Sequence, residues 1–265
     1  MTRIIALGAL LYAAVFGFLV IGQGWLIYPF DPTEVSPDAA GAPRLQAQRM
    51  DTSDGESLVV WTHPPRPGRA TIVYFHGNAG NLALRAARFD RLIDRGYGLV
   101  AMAYRGSSGS TGIPNEEAIR ADARQLRMRL PALLGRDPGK IIYYGESLGS
   151  AVAVGLALSH APDGLVLEAP FTSIAAIAQR RLPMYPVSLG LTEDWNTLAA
   201  MPRIEAPLLV MHGTADEVVP FAQGRAVYRA AGSARKTFRA VQGLGHTGHW
   251  SVAGQTALYA FFEDL

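Results

Sequence analysis

Lys140 to His160 reads KIIYYGESLGSAVAVGLALSH. The run Ile141-Ile142-Tyr143-Tyr144, β-branched and aromatic, predicts a buried strand. Gly145-Glu146-Ser147-Leu148-Gly149 follows at once, and Ala151 to Leu158 predicts an apolar helix of small residues. A strand, a sharp turn and a helix with G-x-S-x-G at the junction form a nucleophile elbow. Such a turn holds its serine in a strained backbone conformation, so the residues two positions to either side must be glycine to avoid collision. It also aims Ser147 Oγ at the N-terminus of the next helix, where free N–H groups favour developing negative charge. A glycine-rich turn with an idle serine would carry the same five residues. The rest of the chain therefore has to supply a base, an acid and an oxyanion hole.

Outward from the elbow, strands and helices alternate. Arg49-Met50 and Ser57 to Trp61 flank Thr52-Ser53-Asp54-Gly55, which predicts an antiparallel hairpin. Thr71 to Phe75 is an apolar strand ending in His76-Gly77-Asn78-Ala79-Gly80-Asn81, and Leu82 to Arg95 has helical period with Asn81 as N-cap. Leu99 to Tyr104 is a strand followed by a glycine-rich loop, Arg105 to Gly112, and a helix runs from Pro114 to about Leu134. Beyond the elbow come strand Leu165–Leu167, the segment Pro170 to Arg203, strand Leu208–Met211, helix Ala222–Ala231, strand Thr237–Val241 and helix Ser251–Phe262. Strands that are almost continuously apolar and separated by helices predict an α/β fold, a mostly parallel central sheet covered on both faces.

Sites in open α/β sheets lie outside the carboxyl ends of strands, and that rule ranks the partners of Ser147. Asp216 lies just past Leu208–Met211, and His246 lies past the final strand in Gly243-Leu244-Gly245-His246-Thr247-Gly248. The chain order Ser147, Asp216, His246 is the one this architecture uses. His246 would take the serine proton while Asp216 holds its tautomer. His249 is the rival base, placed at the start of the last helix, and Glu168, which also ends a strand, is the rival acid. His76 and His212 sit in His-Gly turns and read as loop braces, His63 and His160 as surface, and Glu217 as outward-facing. The oxyanion hole would use the backbone N–H groups of Leu148 and Asn78. No metal-ligand cluster, dinucleotide fingerprint or phosphate loop is present in the sequence, so no cofactor and no metal are expected.

The chain has 265 residues, 49% of them hydrophobic, no cysteine and a net charge of +2. That charge gives no reason to expect a nucleic-acid partner. Ile4 to Gly22 carries no charge and is long enough to cross a bilayer as a helix. Trp25 and Tyr28 follow at the position of an aromatic belt. A cleaved signal peptide is the competing reading, but the apolar run is long for one and no A-x-A site ends it. The expected organisation is a transmembrane anchor over 1–28, a linker over 29–44 lifting the domain from the membrane, and a catalytic domain over 45–265. Arg3 before the helix, with Asp31 and Glu34 after it, places the N-terminus in the cytoplasm and the domain on the outer, periplasmic side. Arg85, Arg88, Arg91 and Arg95 share one helix face, as do Arg120, Arg124 and Arg127 on the next. These stripes read as solvated faces, with contact to anionic lipid head groups as the alternative.

The runs FHGNAGN, AYRGSSGSTGIP, GESLG, EAPFTSI, HGTADEVVP and GLGHTG stand in the order and spacing of the α/β-hydrolase superfamily. The sequence most resembles its branch of membrane-anchored, lidless serine hydrolases, which includes protein depalmitoylases and prolyl-oligopeptidase-like esterases. The resemblance covers about Arg49 to the end of the chain. It departs at Thr247-Gly248, where related sequences often place Asn or Asp after the histidine. It implies cofactor-free serine hydrolase activity through Ser147, Asp216 and His246. The expected reaction is cleavage of carboxylic esters or thioesters of a small-molecule or lipid substrate. A serine peptidase on the same triad and an inactive membrane-tethered binding module are the alternatives. The segment Pro170 to Arg203, broken by Pro183, Pro186 and Pro202, leaves material for a rim around the site and not for a closing lid.

Overall fold

The computed structural model describes residues 1–265. An apolar helix, α1 (Thr2–Ile21), leads through the short α2 (Gln23–Ile27) into strands β1 (Gln46–Asp51), β2 (Ser57–His63) and β3 (Thr71–Phe75). Helix α3 (Ala86–Asp94), strand β4 (Gly98–Met102), helix α4 (Glu116–Leu134), strand β5 (Ile141–Glu146) and helix α5 (Leu148–Ala157) follow. Then come β6 (Gly164–Glu168), α6 (Ile174–Arg181), α7 (Thr197–Ala200), β7 (Leu208–Gly213), α8 (Phe221–Ala230), β8 (Lys236–Val241) and α9 (Val252–Glu263).

One sheet of eight strands runs in the order β1-β2-β4-β3-β5-β6-β7-β8. The β1–β2 and β2–β4 pairs are antiparallel and every other pair is parallel, so the sheet is mixed but mostly parallel. Alternate residues of the central strands feed two cores. Val73, Phe75 and Tyr143 face α4, α5 and α8 on one side, whereas Ile72, Tyr74 and Tyr144 face α3 and α9 on the other. Both faces are covered, which is why these strands read as unbroken apolar runs. The direction of the strand order reverses between β3 and β5, so the loops leaving their carboxyl ends diverge and open a crevice.

Local sequence accounts for the helix ends. Asn115 caps α4 by accepting from the Ala118 amide at 2.9 Å, Glu116 and Glu117 occupy its first turn, and Gly135 ends it in the left-handed conformation. The segment predicted as one helix over 82–95 is a 3₁₀ turn, Leu82–Arg85, continued by α3, with the Asn81 side chain accepting from the Ala83 amide. Among the helices, α1 is the one long and apolar enough to cross a membrane, and apart from its last turns it packs on nothing.

Residues 29–34, within the stretch 29–44 expected to be a linker, are held to the domain. Phe30 bridges to Gly80 in parallel, the Asp31 amide donates to the Gly80 carbonyl at 3.2 Å, and the amides of Ser108 and Gly109 donate to the carbonyls of Asp31 and Pro32 at 2.9 Å. The Phe30 ring lies 5.4 Å from that of Tyr104 and 5.6 Å from that of His76. A proline-rich stretch looks like a linker when read alone. Here its backbone groups and its one aromatic ring find partners on the loops after β3 and β4.

Candidate active site

The elbow has the geometry its glycines permit. Ser147 sits at φ 50°, ψ −113°, a conformation that strains any residue with a Cβ. Its amide donates to the Glu168 carbonyl at 2.8 Å, which fixes the end of β5 beside the end of β6. A Cβ on Gly145 would collide with the Gly149 backbone, and one on Gly149 with the Phe75 carbonyl. These two glycines let the first turn of α5 press against the end of β3. The Leu148 amide is thereby brought to the loop that carries Asn78. Neither amide donates to a carbonyl outside the regular helices and strands.

The loops after β7 and β8 bring the other predicted residues to the same place. His246 Nε2 lies 3.0 Å from Ser147 Oγ, and His246 Nδ1 lies 2.8 Å from Asp216 Oδ2. Asp216 Oδ1 accepts from the amides of Val218 and Val219 at 2.9 and 2.8 Å. His212 Nε2 lies 3.2 Å from Asp216 Oδ2 and 2.9 Å from the Val219 carbonyl. Burial by itself would raise the Asp216 carboxyl, but the hydrogen bonds from His212, His246 and Val219 outweigh it and hold the group below the ordinary carboxylate range. Asp216 is therefore a charged acceptor facing Nδ1, which selects the tautomer that leaves Nε2 free to accept.

The rival residues pair with each other. His249 lies in the turn ahead of α9, fully buried, and not at a helix start as the sequence suggested. Its Nε2 accepts from the Gly213 amide at 3.0 Å and its Nδ1 faces Glu168 Oε1 at 3.2 Å. Glu168 also receives Tyr144 and Arg88, so its carboxylate is fully engaged below the site. His76 is buried beside Tyr104, and burial together with the nearby Arg85 lowers it to about 3, so the ring is neutral. Glu217 is exposed.

Sequence reading missed the floor of this site. The periodicity of Arg85 and Arg88 predicts a solvated stripe, yet both are largely buried. Arg85 Nη2 binds Glu146 Oε1 at 3.0 Å, and Arg88 Nη1 reaches Glu168 Oε2 at 3.1 Å and Glu146 Oε2 at 3.4 Å. Tyr74 donates to Glu146 at 2.8 Å, and Trp250 Nε1 donates to the Tyr144 hydroxyl at 3.0 Å. Desolvation opposes charge on both carboxyls, but Arg85 and Arg88 overcome it at Glu146, and Arg88 and His249 at Glu168, so both stay below their usual range. The available signal was the polar end of the two tyrosines, since a buried phenol needs a partner. The second stripe is also partly engaged, with Arg120 paired to Glu116 at 2.7 Å and Arg127 donating to the Tyr143 hydroxyl at 3.2 Å. Arg88→Leu should cost about 3–5 kcal/mol in urea unfolding, because it leaves two buried carboxylates short of their counter-ion. A loss below about 1 kcal/mol would mean that Arg85 and the tyrosines suffice to hold them.

A family model described as serine aminopeptidase, S33, matches residues 66–190 and 195–250. An uncharacterised protein of Mycobacterium tuberculosis is 33% identical over 265 residues, covering 99% of this chain and 94% of that protein. The rat lysophosphatidylserine lipase ABHD12 is 32% identical over 213 residues, covering 71% of this chain and 50% of the lipase. The esterase Pf2001 of Pyrococcus furiosus superposes with a TM-score of 0.68 at 18% identity, covering 89% of this chain and 96% of the esterase.

Proposed function

The chain belongs to the α/β-hydrolase superfamily, in its lidless serine hydrolase branch, and from that premise we propose that it cleaves carboxylic esters or thioesters through an acyl-enzyme on Ser147. Ser147 Oγ attacks the acyl carbon while His246 Nε2 takes its proton, and Asp216 stabilises the imidazolium that forms. The amides of Leu148 and Asn78 receive the tetrahedral oxyanion at the start of α5. His246 then protonates the departing alcohol or thiol. In the second half it takes a proton from water, whose oxygen attacks the acyl carbon, and Ser147 regains its proton as the acid leaves.

The observation that carries this reading is the pair of contacts, 2.8 Å and 3.0 Å, linking Asp216 to His246 and His246 to Ser147. A lipid acyl ester as substrate draws support from the rat relative, which is named a lysophosphatidylserine lipase. We read α1 as an uncleaved single-pass anchor with a cytoplasmic N-terminus, and residues 45–265 as the catalytic domain on the outer side. The family description, serine aminopeptidase, supports peptide cleavage as a second reading, since the same triad attacks amides.

A panel of aryl esters and aminoacyl anilides separates the two. We expect turnover of the esters, none of the anilides, and covalent labelling of Ser147 by a fluorophosphonate. Anilide turnover at a rate matching the esters would establish the peptidase instead, and an unlabelled serine would reduce the site to a binding module.

A further inference from the structure

The last turns of α1 do not hang free. Tyr12 stacks on Tyr185 with ring centroids 4.7 Å apart, and Phe16 lies parallel to the same ring at 6.0 Å. Gln23 Nε2 donates to the Gly190 carbonyl at 3.1 Å, and Gln23 Oε1 accepts from the Thr192 amide at 2.8 Å. Tyr28 hydrogen-bonds to Glu193 and receives Trp195 Nε1 at 2.7 Å. The seam so formed is not closed. Between Phe16, Leu19 and Val20 of α1 and Ile174, Ala178 and Leu182 of the facing segment lies a cleft of about 470 Å³, part of it open to solvent, with 11 of its 13 lining residues hydrophobic.

Two features identify its occupant. Ile27 closes the inner end, and its carbonyl accepts from Asn78 Nδ2 at 3.2 Å, so the cleft ends against the loop assigned to the oxyanion hole. At the outer end its wall is the helix read as the anchor. Next in the chain to the lining residues Leu26, Tyr185 and Gly190 stand Trp25, Met184 and Leu189, each at least 80% exposed, with the exposed Arg180 and Arg181 nearby in the sequence. Apolar side chains backed by arginines match the interface between lipid tails and anionic head groups.

We propose that this cleft takes the acyl chain of a membrane lipid ester, so that the N-terminal helix is one wall of the substrate site as well as an anchor. The inference rests on the esterase reading of Ser147. A chain entering along α1 stays against apolar surface from the bilayer to Ile27, and its carboxyl carbon arrives beside Asn78. The Pro170 to Arg203 segment then supplies the opposite wall, a binding role for residues that the sequence marked only as a rim.

The test uses the full chain in phosphatidylcholine vesicles with nitrophenyl acetate and nitrophenyl palmitate, active enzyme being counted by fluorophosphonate titration of Ser147. The wild type should favour the palmitate. Ala178→Phe and Leu19→Trp, which fill the cleft from its two walls, should each lower the palmitate-to-acetate ratio of kcat/KM by about tenfold or more, since even one methylene in an apolar pocket is worth about tenfold. Counting active sites removes misfolded protein from the comparison. An unchanged ratio in either variant, or a wild type indifferent to chain length, overturns the proposal. A wild type that hydrolyses neither ester and resists labelling would instead sink the esterase reading beneath it.

Discussion

Ser147→Ala should lower kcat by about 10⁴- to 10⁶-fold while the protein stays folded. The size of the loss follows from what remains. The oxyanion amides and the binding surface stay in place, so catalysis above the water rate persists, but no acyl-enzyme can form. Folding should survive, because Ser147 Oγ has a single protein partner, His246 Nε2, and the backbone contacts of the elbow do not involve the side chain. Alanine carries a Cβ like serine, so the strain at φ 50° is the same in both. The check is kcat on a short aryl ester together with urea unfolding of the same preparation. Activity within tenfold of wild type in a folded variant would remove Ser147 from the mechanism.

His246→Ala should be as damaging as the serine change, and Ser147→Ala combined with His246→Ala should be no worse than either alone. Groups that act as one unit lose their effect once, about 10⁶-fold in the best-measured triad, and not as a product. The 3.0 Å contact to Ser147 Oγ makes His246 the only imidazole in reach of the serine proton. His249, whose Nε2 accepts from the Gly213 amide and whose Nδ1 faces Glu168, should show its effect in stability more than in turnover. Measured kcat values for the three variants decide the matter. A double variant far below both singles would mean that the two residues act in separate steps.

The sheet, its helices and the positions of Ser147, Asp216 and His246 past the ends of β5, β7 and β8 were legible because each depends on short-range rules. Apolar runs mark buried strands, glycines flank a strained serine, and functional loops leave the carboxyl ends. What was hidden depends on partners far away in the chain. The periodicity of Arg85 and Arg88 is the same whether the stripe meets water or two carboxylates. Only the approach of Glu146 and Glu168, 61 and 80 residues away from Arg85 and Arg88 respectively, decides it. The same holds for the segment after α2. Pro29 and Pro32 argue locally for a spacer and Tyr28 for an aromatic belt, whereas the carbonyls of Asp31 and Pro32 accept from Ser108 and Gly109, and Tyr28 meets Glu193 and Trp195 across more than 160 residues. The pairing of Glu168 with His249 was invisible for a further reason. Each competes in sequence for a place beside the serine, and nothing local marks that the two side chains face one another.

The strand order has a consequence for the newly made chain. β8 forms one edge of the sheet, His246 follows it, and the His246–Ser147 contact spans 99 residues. During synthesis the elbow can form once β3, β5, α5 and β6 are in place, since its strain is held by glycines and by the Glu168 carbonyl at the end of β6. The nascent protein then carries a shaped but unreactive serine while Asp216, His246 and the strands beneath them are still to come. On the proposed mechanism the serine gains its base only after β8, so a chain that ends before His246 should fail to label with a fluorophosphonate.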